Sequence, residues 1–291
     1  CLPDGQRLVA GHGLPRFTLR LRECSVLAQA ALRGHLGLLE AYVDGALDVE
    51  GDLAEAFRAG LQAGFDERPG RLATWALRLE NRWLEWRGAN GSSERARANA
   101  SAHYGLPEAF YRQWLDGLKV YSCAYWPEGT ATLEEAQARK IDHVCRKIRL
   151  GAFDRVLDVG CGFGGFLLRA ARTTGARGVG LNTTPAQVAW LRGEIARQHL
   201  EGQIAVREGD FRDAGGRYDK LVSIGVLEHA GRDQLAAVIR AHADALLPGG
   251  LGLLHFVGHL TPRETDPFIR KHVFPGGWIP ALCDVTREME R

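Results

Sequence analysis

Arg155-Val156-Leu157-Asp158-Val159-Gly160-Cys161-Gly162-Phe163-Gly164-Gly165-Phe166-Leu167-Leu168 is the stretch from which the fold of this 291-residue chain is read. Val156, Leu157 and Val159 make a short apolar run, the pattern of a strand buried in a parallel sheet. The glycines that follow let the backbone turn sharply and approach a ligand closely. An apolar helix opens at Phe166, so the unpaired N–H groups of its first turn face the loop. Strand, glycine loop and helix are the first unit of a nucleotide-type site.

The residues around the loop narrow the ligand. A dinucleotide site carries an acid about 20 residues further on, at the end of the second strand. Here the second strand, 176–181, ends in Asn182-Thr183-Thr184 without a carboxylate. No Gly-Lys-Ser/Thr follows the loop, which argues against phosphate cradling. Asp158 stands on the strand just before the glycines. It is placed to orient them or to meet the cationic end of a ligand, as in S-adenosylmethionine (SAM) sites.

The alternation continues on both sides. A helix over 133–148 leads into the strand. After the loop come a helix over 185–200 with Pro185 in its first turn, strands over 204–207 and 220–226, a helix over 232–247 closed by Pro248-Gly249-Gly250, and a strand over 251–257. Strands separated by helices predict an α/β fold with a mainly parallel, doubly wound, Rossmann-like sheet. Ligands in such sheets bind beyond the carboxyl ends of the strands. Glu228 follows one strand end and His255 sits in another strand, so the two could meet above the sheet.

Residues 1–87 read as a smaller N-terminal α+β accessory domain: a strand over 16–21, a helix over 26–39, a turn at Asp44-Gly45 between short strands over 42–49, and a helix over 53–63. Within 71–87, Leu72, Trp75, Ala76, Leu79, Trp83 and Trp86 recur at helical spacing, with Arg71, Arg78 and Arg82 on the other flank. Such a stripe packs on a core or lies in a membrane interface. Residues 88–98 are the expected linker, and 99–291 the catalytic domain. The segment 102–127 mixes aromatic and polar groups, as a pocket wall does. Its Cys123 is either a small buried residue or a nucleophile, and the latter needs a base.

With 37 basic and 35 acidic residues the net charge is +2, which argues against a nucleic-acid binder. The six cysteines are scattered without CxxC spacing, as free thiols of a reducing cytoplasm are, and offer no metal site. No apolar run is long enough to span a bilayer. The chain opens on Cys1 and stops at Arg291 in a helical pattern, so both ends are expected to be cut from a longer protein.

Several segments together resemble one family, the cyclopropane-fatty-acyl-phospholipid synthases, which include the mycolic acid cyclopropane synthases. They are Tyr121-Ser122-Cys123-Ala124-Tyr125-Trp126, Leu133-Glu134-Glu135-Ala136-Gln137 with Lys140, the glycine loop, Ser223-Ile224-Gly225 with Glu228-His229, Pro248-Gly249-Gly250, Leu254-His255, and Val273-Phe274-Pro275-Gly276-Gly277 with Pro280. The resemblance implies a class I SAM-dependent methyltransferase that moves the SAM methyl carbon to a cis double bond of a phospholipid acyl chain. A bound bicarbonate then takes a proton and a cyclopropane ring closes. It implies that Cys123, Glu228 and His255 form the bicarbonate site, with Glu228 accepting from the protonated oxygen of the anion. It implies that SAM meets Tyr121, Ser122, Val156, Leu157, Asp158, Val159, Gly160, Cys161, Gly162, Phe163, Gly164, Asn182, Thr183, Thr184, Gln187, Phe211 and Arg212. It further implies a homodimer in the cytoplasm, peripherally bound to the inner face of the membrane, with unsaturated phospholipid as substrate and no nucleic acid.

The chain also departs from the family pattern. Phe163 stands where tryptophan is usual, Asn182-Thr183-Thr184-Pro185 replaces a Thr-Leu/Ile-Ser sequence, and Gly105-Leu106-Pro107-Glu108-Ala109 replaces an Asp-Leu-Gly-Asn-Asp pattern. Val257 takes an isoleucine position, and the family's site tyrosine falls beyond Arg291. These departures keep alternatives open: a methyl- or methylene-branched product, methylation of a small molecule, or a lipid- or SAM-binding protein without turnover.

Overall fold

The structure, a computed structural model, describes residues 1–11, 13–64 and 71–291. The side chains of residues 71–74, 76, 102 and 103 lie outside the described residues, and with them the expected roles of Arg71, Leu72, Ala76, Ala102 and His103. Two compact units result, Cys1–Leu84 with Asp266–His272, and Glu85–Thr265 with Val273–Arg291.

The first unit contains β1 (Phe17–Leu21), α1 (Ser25–Arg33), α2 (His35–Val43), β2 (Leu47–Gly51), α3 (Leu53–Gln62) and most of α4 (Arg71–Gly88). β1 and β2 pair antiparallel over a small core of Val26, Ala41 and Leu47. The helix expected over 26–39 is two helices, because Gly34 turns the chain at φ 58°. Tyr42 and Val43 end α2 instead of starting a strand, so only the second half of the expected 42–49 hairpin is extended. The segment Asp266–His272 joins this unit through charge. Arg270, 1% exposed, donates to Asn81 O at 2.9 Å and Asn81 Oδ1 at 3.0 Å. Lys271 Nζ donates to Glu40 Oε1 at 2.6 Å, and Arg33 binds the other oxygen of Glu40. The unit boundary thus differs from the expected division at 87 and 98. On α4, Trp75 and Trp83 are exposed at 64% and 48%, so they do not form a core stripe, and Arg78 and Arg82 are exposed beside them.

The second unit contains α5 (Ser93–Tyr104), α6 (Glu108–Tyr111), α7 (Leu133–Lys147), β3 (Arg155–Val159), α8 (Gly165–Thr174), β4 (Arg177–Asn182), α9 (Pro185–Arg197), β5 (Ile204–Glu208), β6 (Tyr218–Ile224), α10 (Leu227–Ala230), α11 (Leu235–Ala245), β7 (Leu246–His255) and α12 (Leu282–Met289). Its strands are all parallel in the order β5-β4-β3-β6-β7. The chain moves outward from β3 to β5 and returns to β6 on the other side of β3. The switch point therefore lies at the carboxyl end of β3. Alternation along β3 builds both faces. Val156 and Val222 join a cluster with Ile141, Leu168 and Leu191 of α7, α8 and α9. Leu157, Val159 and Leu221 join one with Val238, Trp278 and Val285.

Two expectations about connections fail for physical reasons. Residues 88–98 are not a free linker: Ser92 Oγ caps α5 by accepting from Arg95 N at 3.3 Å, and Asn90 is buried. Asn90 Nδ2 donates to His229 O at 2.5 Å, and Asn99 Nδ2 donates to Gly88 O at 2.9 Å and Asn90 Oδ1 at 2.7 Å. Their polar composition serves buried anchoring, which composition alone does not distinguish from solvation. Pro248-Gly249-Gly250 does not close α11, which ends at Ala245. It lies inside β7, where the register shifts opposite Tyr218 and Lys220. No helix among the described residues is long and apolar enough to cross a membrane.

Candidate active site

A cleft opens beyond the carboxyl ends of β3, β4 and β6. The open space there is about 1170 Å³ including solvent at its mouth. The glycine loop forms its floor. Gly160 and Cys161 both donate their N–H to Leu181 O, at 2.8 and 2.9 Å, which ties the loop to the end of β4. Gly160 sits at φ 77°, and a Cβ there would lie 2.3 Å from Val226 Cγ2, so only glycine fits.

Two buried charges sit beside this floor. Asp158 is 3% exposed and its carboxylate accepts no hydrogen bond from the described residues. Burial pushes its pKa up to about 7, against the pull of the Lys140 ammonium. Lys140 is 5% exposed and donates from Nζ to Ser122 Oγ at 2.6 Å. Burial brings its pKa down to about 8, opposed by Asp116, Cys123 and Asp158. Lys140 is a site residue that the sequence reading did not assign. Its signal is the polar pair Gln137 and Lys140 within a buried stripe that also holds Ala136, Ile141 and Val144.

Most residues expected at the cofactor line this cleft: Tyr121, Ser122, Asp158, Val159, Gly160, Cys161, Gly162, Phe163, Asn182, Thr183, Gln187, Phe211 and Arg212. Four do not. Val156 and Leu157 point to opposite faces of the sheet and belong to its two cores. Gly164 ends the loop as the N-cap of α8, and buried Thr184 is the N-cap of α9. Asn182 lines the cleft but spends its amide on the protein, donating to Gly162 O at 3.1 Å and Gln187 Oε1 at 2.8 Å. Arg212 is likewise engaged, with Asp210 Oδ2 at 2.5 Å, Asn90 O at 2.5 Å and Gln234 Oε1 at 3.0 Å. Both therefore shape the cleft wall. Phe163, the departure from tryptophan, packs edge-on against Tyr111 and Trp190 at 5.4 and 5.3 Å. Tyr104 and His229, unassigned from sequence, also line the cleft and share a 2.9 Å hydrogen bond.

Glu228 on α10 follows the end of β6 and His255 ends the neighbouring β7, and neither is among the residues that line the cleft. His255 pairs with Ile224, and Gly225 N donates to His255 O at 2.9 Å. Glu228, buried on α10, accepts from Val257 N through Oε1 at 2.5 Å. Glu228 Oε2 and His255 Nδ1 are buried without a partner among the described residues. Burial raises the Glu228 pKa. It lowers that of His255, as do the charges of Lys140 and Lys147. The exposed Cys123 thiol follows Ser122 directly, within electrostatic reach of Lys140.

The donor set fits SAM. A buried carboxylate without a donor among the described residues suits a cationic ligand, and the glycine loop leaves Gly162 open to the cleft. A family model described as mycolic acid cyclopropane synthetase matches residues 91–291. The chain is 35% identical to a probable fatty acid methyltransferase of Pseudomonas putida over 297 residues, covering 97% of this chain and 71% of that protein. It is 30% identical over 284 residues to the cyclopropane-fatty-acyl-phospholipid synthase of Escherichia coli K12, covering 97% and 72%. The cyclopropane synthase MmaA2 from Mycobacterium tuberculosis superposes with a TM-score of 0.63 at 31% identity, over 67% of this chain and 73% of that one. Mycolic acid cyclopropane synthase CmaA1, solved with SAH and CTAB, gives 0.62 at 32%, over 66% and 72%.

The parallel sheet, its glycine loop and these likenesses define a class I SAM-dependent methyltransferase with a smaller N-terminal unit. Within that class, the chain belongs to the mycolic acid cyclopropane synthetase family, as the sequence resemblance implied.

The role of Asp158 is open to a direct test. Only its ionised form attracts a cation, so SAM affinity should rise as pH passes upward through about 7. Asp158→Asn should weaken SAM by about tenfold or more and flatten that dependence. Calorimetric titration across pH measures both, and an unchanged pH slope in the variant would remove Asp158 from the cofactor site.

Proposed function

We propose that this enzyme transfers the SAM methyl carbon to the cis double bond of an unsaturated phospholipid acyl chain and closes a cyclopropane ring, with bicarbonate as the proton acceptor. The observation that carries this reading is that Glu228 Oε2 and His255 Nδ1 lie buried without partners among the described residues. Buried polar atoms are normally satisfied, so an orphaned pair beside a cleft fits a small polar ligand.

SAM supplies an electrophilic methyl carbon on a sulfonium. The alkene π electrons form the new C–C bond as the carbon–sulfur bond breaks to leave a neutral thioether, and the positive charge passes to the acyl chain. Loss of a proton from the transferred carbon, with closure of the second C–C bond, restores neutrality. The protein's part is to hold a base near that carbon in an apolar setting. Burial shifts Glu228 toward its neutral acid, the form that would donate from Oε2 where a carboxylate would repel an anion. The lowered pKa of His255 favours neutral imidazole, which can donate from Nδ1. Glu228 is thus a donor in this reading, opposite to the accepting role expected from the resemblance. Aromatic faces along the cleft, Tyr104 and Tyr121 at 5.8 Å from one another, suit a transient positive charge. A second reading rests on the P. putida relative, whose name is a probable fatty acid methyltransferase. Loss of the proton elsewhere would leave a branched chain from the same site.

Access to lipid belongs to the same proposal. Exposed Trp75 and Trp83 on α4, with Arg78 and Arg82 exposed beside them, suit the interface of an anionic membrane on its cytoplasmic face.

Two measurements test these assignments. Turnover on vesicles of cis-unsaturated phospholipid should depend on added bicarbonate. Glu228→Leu, which removes the donor that glutamine would keep, should cut that turnover at least about a hundredfold while leaving SAM affinity within about twofold. Full turnover in Glu228→Leu would sink the anion corner. Replacing Trp75 and Trp83 together with alanine should weaken sedimentation with anionic vesicles and spare SAM binding. Undiminished sedimentation would refute the role given to α4.

A further inference from the structure

The strap 116–123 crosses from α6 towards α7 and supplies Val120, Tyr121 and Ser122 to the cleft wall. Three side chains hold it. Asp116, 4% exposed, accepts from Leu118 N at 3.1 Å and Val120 N at 2.7 Å. Gln137 Nε2 donates to Val120 O at 3.1 Å and to Ser122 O at 2.9 Å. Lys140 Nζ donates to Ser122 Oγ. Gln137 and Lys140 stand one turn apart on α7, on the same buried face. From the other side, the strap rests on the first residue of α8. A Cβ on Gly165 would lie 2.6 Å from Val120 Cγ2 and 2.9 Å from Leu118 O. The strap also carries Lys119 at φ 53°, a conformation uncommon without glycine, which surrounding contacts must maintain.

We propose that Lys140 and Gln137 are the positioning residues for SAM: α7 fixes the strap through Ser122 and the Val120 and Ser122 carbonyls, and thereby sets the wall against which SAM binds and the place of Cys123. Lys140 acts through Ser122. A buried ammonium held by one hydroxyl is a poor way to stabilise a helix contact, because no direct ion pair among the described residues offsets its desolvation. What it provides is a charged, directional donor to one atom of the cleft wall, stronger than a neutral hydrogen bond. Gln137 makes the same attachment without charge, so the two residues separate position from electrostatics.

The test reads SAM affinity by calorimetry on the full chain. No acyl substrate is needed, so its outcome is independent of the lipid reading. Gln137→Leu, which keeps every charge, should weaken SAM about tenfold. Ser122→Ala and Lys140→Met should each weaken it similarly, and the double variant should be no worse than Lys140→Met alone, since both break one bond. If Lys140 acted by its charge on Asp158, the two losses would instead add. Thermal midpoints without SAM separate a purely structural role, which would lower the midpoint and leave the affinity of the folded protein intact. SAM affinity within twofold of the parent in Gln137→Leu, or additive losses in the Ser122 and Lys140 cycle, would overturn the proposal. Should Lys140→Met not fold, Gln137→Leu and Ser122→Ala decide it: a tenfold loss in both supports it, and unchanged affinity in either overturns it.

Discussion

Two opposite charges buried at the carboxyl end of β3 are the constraint around which the second unit is arranged. Asp158 and Lys140 are each almost wholly out of water, and each shifts the titration of the other. A lone buried carboxylate or ammonium would neutralise itself at large cost. Together they remain chargeable near neutral pH. The central strand of a parallel sheet is where such a pair can be held, because helices cover both faces and only the strand ends are open. The glycine loop gives a ligand access to Asp158, while Lys140 donates to Ser122 Oγ and feels the charge of Asp116.

The second site follows from the same sheet. β6 and β7 end side by side, so Ile224 and His255 are neighbours in register and Glu228 reaches back to Val257 N. Glu228 Oε2 and His255 Nδ1 are buried and find no partner among the described residues. Lys140 lies within electrostatic reach of His255 as well as of Asp158 and Cys123, which links the glycine-loop floor to the ends of β6 and β7. That continuity suits a reaction in which positive charge leaves one molecule and appears on another a bond length away.

Much of this was legible in residue order. The run Val156 to Val159 and the glycines after it place the sheet, the loop and the acid, because parallel strands are nearly all apolar and only glycine tolerates the turn. Glu228 and His255 were legible as strand-end residues. Other features depend on tertiary partners. Nothing local separates the buried Asn90 and the half-buried Asn99, which anchor the segment, from the polar residues of a linker. Nor does proximity in sequence join Arg270 to Asn81. Position along β3 explains why Val156 and Leu157 miss the cleft while Asp158 and Val159, at its carboxyl end, line it. The Trp75 and Trp83 stripe has helical spacing whether it faces a core or a membrane, and its exposure emerged only from the fold.

The central claim is that one carbon moves from SAM to an alkene and loses a proton there. The most direct measurement uses SAM with a fully deuterated methyl group, cis-unsaturated phospholipid and bicarbonate, with the lipid read by mass spectrometry. The account predicts a product that keeps two of the three deuterium atoms on the new carbon and has lost its double bond. A lipid carrying all three would show methyl transfer without proton removal from that carbon, and would contradict it.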